Sequence, residues 1–176
     1  EYGSDANPQY QSSHPEKGDY TESYQCIYHE HIAKMIADRP WLWATHVWNM
    51  FDFGAAHRME GDRSGINDKG LVTHDRKIKK DAYYFYRANW NPEPMIYIAG
   101  RRNVNRVKPL VDVQVFSNVE EVILIVNDCQ CRRMKPDSLK VCLFKEVPLR
   151  KGRNEIEVRA SDSKKQLIDR CTWILQ

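Results

Sequence analysis

Near residue 95 the apolar pattern changes period, and this divides the chain into two unlike halves. From there on the apolar residues alternate in short runs: MIYIA, DVQVFS, EVILIVN, LKVCLFKEV, NEIEVRAS and CTWIL. Turn signals separate them at Asn127-Asp128, Pro136-Asp137, Lys151-Gly152-Arg153-Asn154 and Ser161-Asp162-Ser163. Alternation of this kind buries one face of each strand, and six or seven such strands at this spacing predict an immunoglobulin-like β-sandwich. The Cys…Trp…Cys pattern of antibody domains is missing.

The first half follows a different rhythm. Residues 1–19 are polar and turn-rich and read as a loop after a strand end. A helix is predicted over about 20–37, with Asp19 as N-cap and Glu22 completing a capping box. Tyr24, Ile27, Tyr28, His31, Ile32, Met35 and Ile36 would form its apolar face, and Pro40 ends it. Residues 41–53, WLWATHVWNMFDF, are nearly continuously apolar and suit a strand buried on both sides, as in a parallel sheet. Residues 54–76 form a long loop holding Gly54, Gly61, Gly65 and Gly70. A second helix covers about 78–90 and stops before Pro92 and Pro94. This is the tail of a βα rhythm, and two helices with one full strand cannot bury a barrel core. The chain opens on Glu1-Tyr2-Gly3 without an initiator methionine, so it reads as a piece of something longer.

Composition narrows the classes. Residues 1–100 hold 11 Lys and Arg against 14 Asp and Glu, while residues 101–176 hold 16 against 10. The basic half reads as a strand-rich surface with solvated charges and not as a nucleic-acid face. No apolar run is long enough to span a bilayer. Five cysteines cannot all pair within the chain, and Cys129-Gln130-Cys131 lacks zinc-pair spacing. Free cysteines suit a reducing compartment, and both the cytoplasm and a bacterial periplasm stay open. On a helix, His29 and His31 point apart, which is unlike the His pair of a zincin.

Four motifs, in order, resemble one family: Glu1-Tyr2-Gly3, YTESYQCIYHEHI, HVWNMFDFG and GINDKGLVTHDRKIKKDAYYFYRANW. Together they are similar to the end of the catalytic barrel of family 2 glycoside hydrolases, the β-galactosidases and β-glucuronidases. The resemblance implies an α/β plus all-β chain. Residues 1–94 would be the C-terminal portion of a (β/α)8 TIM barrel, and residues 95–176 the immunoglobulin-like β-sandwich that follows it. Glu1 matches the family's nucleophile. A retaining glycosidase needs this carboxylate to attack the anomeric carbon, and a second carboxyl group to protonate the leaving oxygen. In the family that second group lies well upstream. Glu16, Glu22 and Glu30 do not stand in its place, so the chain alone is expected to show no turnover.

Trp48 matches a Trp that floors the sugar site, where a flat aromatic face suits a pyranose ring. Trp41 and Trp43 read as packing residues. Asp52 stays open between touching a sugar hydroxyl and joining a buried network. Asn67 and Lys69 match an Asn-x-Lys-Gly loop that holds the carboxylate of a glucuronide, with Lys supplying charge and Asn a hydrogen bond. Similar loops occur in β-galactosidase-like members, where Lys69 would only brace the loop, and terminal β-galactosides are placed ahead of β-glucuronides. Arg58, Arg63 and His57 share that loop and are further candidates for substrate contact. Tyr83, Tyr84, Phe85 and Tyr86 are expected to pack the second helix on the barrel. The resemblance implies a carbohydrate substrate, the rest of the barrel as partner and no organic cofactor. Mg²⁺ or Na⁺ accompanies some members, without a convincing ligand set here, and a homo-oligomer stays open. The rival reading is a non-catalytic carbohydrate-binding or structural module, which calls for an exposed aromatic strip on residues 100–176.

Overall fold

The computed structural model describes residues 1–59, 61, 63–160 and 166–176, so the expected turn at Ser161-Asp162-Ser163 lies outside the described residues. The chain divides into two compact units, Glu1–Tyr84 and Phe85–Gln176.

In the first unit, helix α1 spans Glu22–Ala37. Its N-cap is Thr21, whose Oγ1 accepts from Tyr24 N at 3.1 Å. The expected cap, Asp19, instead accepts from the Thr21 amide and hydroxyl at 2.8 and 2.9 Å. Asp19 therefore holds the true cap in its extended conformation. Nor does Glu22 close a capping box. It reaches across the unit and accepts from Asp81 N at 2.7 Å, satisfying a free N–H at the start of α2 (Asp81–Trp90). The buried face of α1 is Glu22, Gln25, Cys26 and His29, while Ile27 is 51% exposed. The expected apolar face is thus not the one that packs. The helix turns this side inward because distant backbone groups satisfy Glu22 and Gln25 there.

The expected strand over 41–53 is not continuous. Val47 and Phe51 make isolated parallel bridges to Tyr2 and Val72, and Phe53–Gly54 forms a short strand, β1. Trp41 is 72% and Trp43 95% exposed. A strand buried on both faces needs neighbours on both sides, and residues 41–45 pair with no strand among the described residues. The expected loop that follows is partly strand: β1 pairs antiparallel with β2 (Ile66–Asn67), setting Asn67 opposite Phe53.

The second unit is a sandwich of two sheets. One sheet has the order β3-β5-β8, from Ile96–Ile98, Leu110–Ser117 and Val141–Pro148. The other has the order β4-β10-β9-β6-β7, from Asn105–Arg106, Ile168–Leu175, Gly152–Ala160, Val122–Val126 and Gln130–Met134. These orders correspond to the A-B-E and G-F-C-C′ sets of an immunoglobulin-like sandwich, with β4 added in parallel beside the G strand β10. Inward residues of both sheets form the core, among them Val113, Val115, Leu124, Phe144, Ile156 and Trp173. The β6–β7 turn places Asn127 and Asp128 at positive φ (53° and 59°), as its Asn-Asp sequence permits. The two strands not anticipated, β4 and β7, are short and lack an alternating apolar pattern.

Asn154 locks one end of this unit. Fully buried, it donates to Arg150 O (2.8 Å) and Gly152 O (2.9 Å). It also accepts from Arg150 N (2.9 Å) and Asn127 Nδ2 (3.0 Å). Phe85 of α2 packs edge-on against Phe116 of β5 at 5.6 Å, so this part of the expected aromatic cluster packs on the sandwich. The five cysteines are free, with Cys26 and Cys142 buried, and burial pushes the Cys142 thiol up to about 12. Among the described residues no helix is long and apolar enough to cross a membrane.

Candidate active site

Glu1 is exposed at the start of the first unit. The next residue, Tyr2, pairs in parallel with the 46–48 segment: its N donates to His46 O at 3.0 Å, and Trp48 N donates to Tyr2 O at 2.7 Å. Two adjacent strand ends therefore carry Glu1 and Trp48. Gly3 makes this approach possible, since a Cβ there would stand 1.7 Å from the Trp48 carbonyl oxygen.

The same construction continues into the Asn67–Lys69 loop. Asn49 N donates to Lys69 O (3.0 Å), Leu71 N to Asn49 O (2.9 Å), and Ala6 N to Asp68 O (3.1 Å). A Cβ on Gly70 would stand 2.0 Å from Asp52 N, so Gly70 is needed for the two segments to touch. The Gln25 amide, fully buried on α1, donates to Ser4 O at 2.9 Å and to Gly70 O at 3.3 Å. Helix α1 thus joins the segment after Glu1 to the loop carrying Lys69.

Beneath the loop lies a charged core. Lys80 and Asp52 are fully buried and meet at 2.7 Å. Lys80 Nζ also donates to Asp68 O at 2.8 Å, and Asp52 Oδ1 accepts from Gly70 N at 2.9 Å. Arg63 pairs with Asp68 and stands 3.4 Å from Asp52 Oδ2. Burial pushes the Asp52 carboxyl up and the Lys80 ammonium down, and in each case the partner's charge opposes the shift. His29 sits against Tyr2 and Tyr28, with ring centroids 5.8 and 5.4 Å away. Burial, reinforced by the Lys80 charge, lowers it to about 4, so it is neutral at pH 7. Asp52 accordingly belongs to a buried support, which the partly exposed Arg63 joins from outside. His31 is exposed, on a different face from His29.

A cavity of about 380 Å³ opens above this support, lined by Trp48, Phe53, Ala55, His57, Arg58, Met59 and Asn67. It unites Trp48 and Asn67 with Arg58 and His57, while Glu1 and Lys69 lie outside its lining. Trp48 stands edge-on to Phe53 at 5.7 Å, which fixes the indole at the wall. The residue that sequence reasoning missed is Asp5. It holds Arg58 Nη2 at 2.7 Å through Oδ1 and Lys69 Nζ at 2.9 Å through Oδ2. Only its position four residues beyond Glu1 marked it. An aromatic wall, a side-chain amide and two cations suit a sugar ring with a polar or anionic substituent. Among the described residues of 101–176 there is no exposed aromatic strip, because the three aromatics, Phe116, Phe144 and Trp173, are all buried.

No family model matches the chain. It is 51% identical over 154 residues to a β-glucuronidase of Bacteroides fragilis, covering 87% of this chain and 22% of that protein. In fold it is similar to the FMN-binding β-glucuronidase of Faecalibacterium prausnitzii L2-6, with TM-score 0.90 and 40% identity over 99% of this chain and 26% of the other. It is also similar to a provisionally assigned β-galactosidase of Bacteroides fragilis, with TM-score 0.92 and 34% identity over 99% of this chain and 27% of the other. A third similar structure is Bacteroides uniformis β-glucuronidase 2 covalently bound to cyclophellitol-6-carboxylate aziridine, with TM-score 0.84 and 29% identity over 99% of this chain and 21% of the other. The chain therefore spans little more than a quarter of these proteins at most. It is a homologue of the family 2 glycoside hydrolases of the β-glucuronidase and β-galactosidase type, corresponding to one segment of those longer enzymes.

Proposed function

We propose that the chain is part of a retaining exo-β-glycosidase that hydrolyses terminal β-glucuronides. Residues 1–94 supply the last part of its catalytic barrel and residues 95–176 a supporting immunoglobulin-like domain. The observation that carries the glucuronide reading is the pair of cations, Lys69 and Arg58, gathered by Asp5 beside the Trp48–Asn67 cavity. A neutral galactoside has no use for that charge, whereas the carboxylate of a glucuronide does. The relatives favour the same reading. One is a β-glucuronidase at 51% identity, and another is bound covalently to a sugar analogue bearing a 6-carboxylate.

In this reading Glu1 attacks the anomeric carbon and displaces the aglycone, forming a glycosyl ester. A carboxyl group from elsewhere in the barrel, roughly 5–5.5 Å from Glu1, protonates the leaving oxygen and then deprotonates the incoming water. Trp48 stacks under the sugar, Asn67 donates a hydrogen bond, and Lys69 pairs with the sugar carboxylate. The 176-residue chain by itself turns nothing over, because it offers no second carboxyl group in that role.

The second reading, a β-galactosidase, is favoured by the likeness to the Bacteroides fragilis protein at TM-score 0.92. Hydrolysis of 4-nitrophenyl β-D-glucuronide and β-D-galactoside by the complete protein, with and without Lys69→Ala, separates the two. The glucuronidase reading predicts glucuronide cleavage that Lys69→Ala weakens by about tenfold or more, the worth of one charge-assisted hydrogen bond. Faster cleavage of the galactoside, untouched by Lys69→Ala, rejects it.

A further inference from the structure

We propose that Gln25 is a positioning residue for sugar recognition: its side-chain amide sets the gap between the segment that follows Glu1 and the loop that carries Lys69, and so places the Lys69 ammonium for the sugar carboxylate. This rests on the glucuronidase reading above. Gln25 is fully buried, one turn into α1. Its Nε2 donates to Ser4 O at 2.9 Å and to Gly70 O at 3.3 Å. Both partners are carbonyl oxygens, so the two N–H donors of the amide must face them. Among uncharged side chains only glutamine carries two donors on one atom at this reach.

The base of the side chain is fixed as well. Thr21 caps the helix, Gln25 N donates to Thr21 O at 3.1 Å, and Asn7 N donates to Tyr20 O at 2.7 Å. Glu22, on the same buried face, accepts from Asp81 N at 2.7 Å. The amide therefore acts as a spacer of fixed length between two main-chain segments. That spacing sets the position of Lys69. Ala6 N donates to Asp68 O at 3.1 Å, so the residues on one side of Asp5 and Lys69 are joined directly, and those on the other side through Gln25. Between these two ties Lys69 Nζ meets Asp5 Oδ2 at 2.9 Å. Glu1 is held by a pairing in which Gln25 has no part, that of Tyr2 with His46 and Trp48. Loss of the amide should therefore weaken substrate binding more than attack on the anomeric carbon.

The test uses the complete protein that carries this segment, with 4-nitrophenyl β-D-glucuronide as probe. Gln25→Met keeps the length of the side chain and removes both donors. KM should rise about fivefold or more while kcat changes less than about threefold. In a Lys69→Ala background the same substitution should change KM by less than about twofold, because a residue that acts through Lys69 then has nothing left to position. A general loss of packing would instead act by the same factor in both backgrounds. Equal factors in the two backgrounds, an unchanged KM, or a fall in kcat alone overturns the role assigned to Gln25. Circular dichroism establishes which variants are folded. Gln25→Glu, which keeps the shape and breaks up the pair of donors, keeps the proposal testable if Gln25→Met does not fold. Failure of both to fold marks Gln25 as purely structural and overturns the proposal too. Each of these results leaves the glucuronidase reading standing if the wild type cleaves the glucuronide and Lys69→Ala weakens that cleavage. If the wild type does not cleave it, or Lys69→Ala leaves cleavage unchanged, the glucuronidase reading fails and the inference falls with it.

Discussion

Replacing Lys80 by methionine tests the buried support beneath the candidate site. Lys80 and Asp52 are both fully buried, 2.7 Å apart, and the same ammonium holds Asp68 O at 2.8 Å. Methionine fills much of the volume but leaves Asp52 with Gly70 N at 2.9 Å and the more distant Arg63 at 3.4 Å. Breaking one half of a buried ion pair costs about 3–5 kcal/mol, because the remaining charge stays buried without compensation. The loss falls on the segment over the pair, where Gly70 N, Leu71 N and Val72 N bond to Asp52 Oδ1, Asn49 O and Met50 O. Amide exchange of these residues, followed by mass spectrometry on the complete protein, reads local opening without assuming two-state unfolding. It should accelerate by about 10²–10³-fold in Lys80→Met, and the double variant Asp52→Asn, Lys80→Met should recover most of that protection. Exchange unchanged in Lys80→Met, or a double variant worse than the single one, would refute the reasoning.

Two further outcomes follow from other buried polar groups. His29 has its folded pKa lowered to about 4 from an ordinary value of 6.5. The unfolded chain therefore binds the proton first as pH falls, and stability that is complete above pH 6.5 is lost on the way to pH 4. The loss amounts to about 3 kcal/mol, so calorimetry between pH 7 and 4.5 should show the transition temperature falling with acid, with a shallower slope in His29→Gln. In the sandwich, Asn154→Ala removes four hydrogen bonds made by one fully buried side chain and should destabilise that unit by roughly 2–4 kcal/mol. Thermal unfolding measures this, and a change below about 0.5 kcal/mol, the level of an ordinary surface substitution, would contradict the clamp.

The alternating runs after residue 95 made the sandwich legible, because strand burial imposes a period of two that survives without any tertiary information. The helices were legible from periodicity and prolines, but the packing of α1 was not. Glu22, Gln25 and His29 look like surface residues by composition. Glu22 and Gln25 are buried because their partners lie far away, 59 residues for Glu22 to Asp81, and 21 and 45 for Gln25 to Ser4 and Gly70. The cap fell on Thr21 because two capping residues stood two apart and one served the other. Motifs singled out Glu1, Trp48, Asn67 and Lys69 as candidates, of which Trp48 and Asn67 line one cavity. No motif marked Asp5, since a lone aspartate in a polar loop gives no local sign of the two cations it meets 53 and 64 residues later. The aromatic run 41–46 misled in the other direction: its apolar character predicts burial, and the neighbours that would bury it are not among the described residues.

Covalent trapping would identify the nucleophile, proposed above to be Glu1. The complete protein would be incubated with cyclophellitol-6-carboxylate aziridine, digested, and the labelled peptide mapped by mass spectrometry, with Glu1→Gln treated alongside. A single ester adduct on Glu1 is expected, with β-glucuronide hydrolysis lost in step with labelling, and neither labelling nor hydrolysis in Glu1→Gln. An adduct on another carboxylate, or an unlabelled protein that still hydrolyses β-glucuronides after Glu1→Gln, would contradict it.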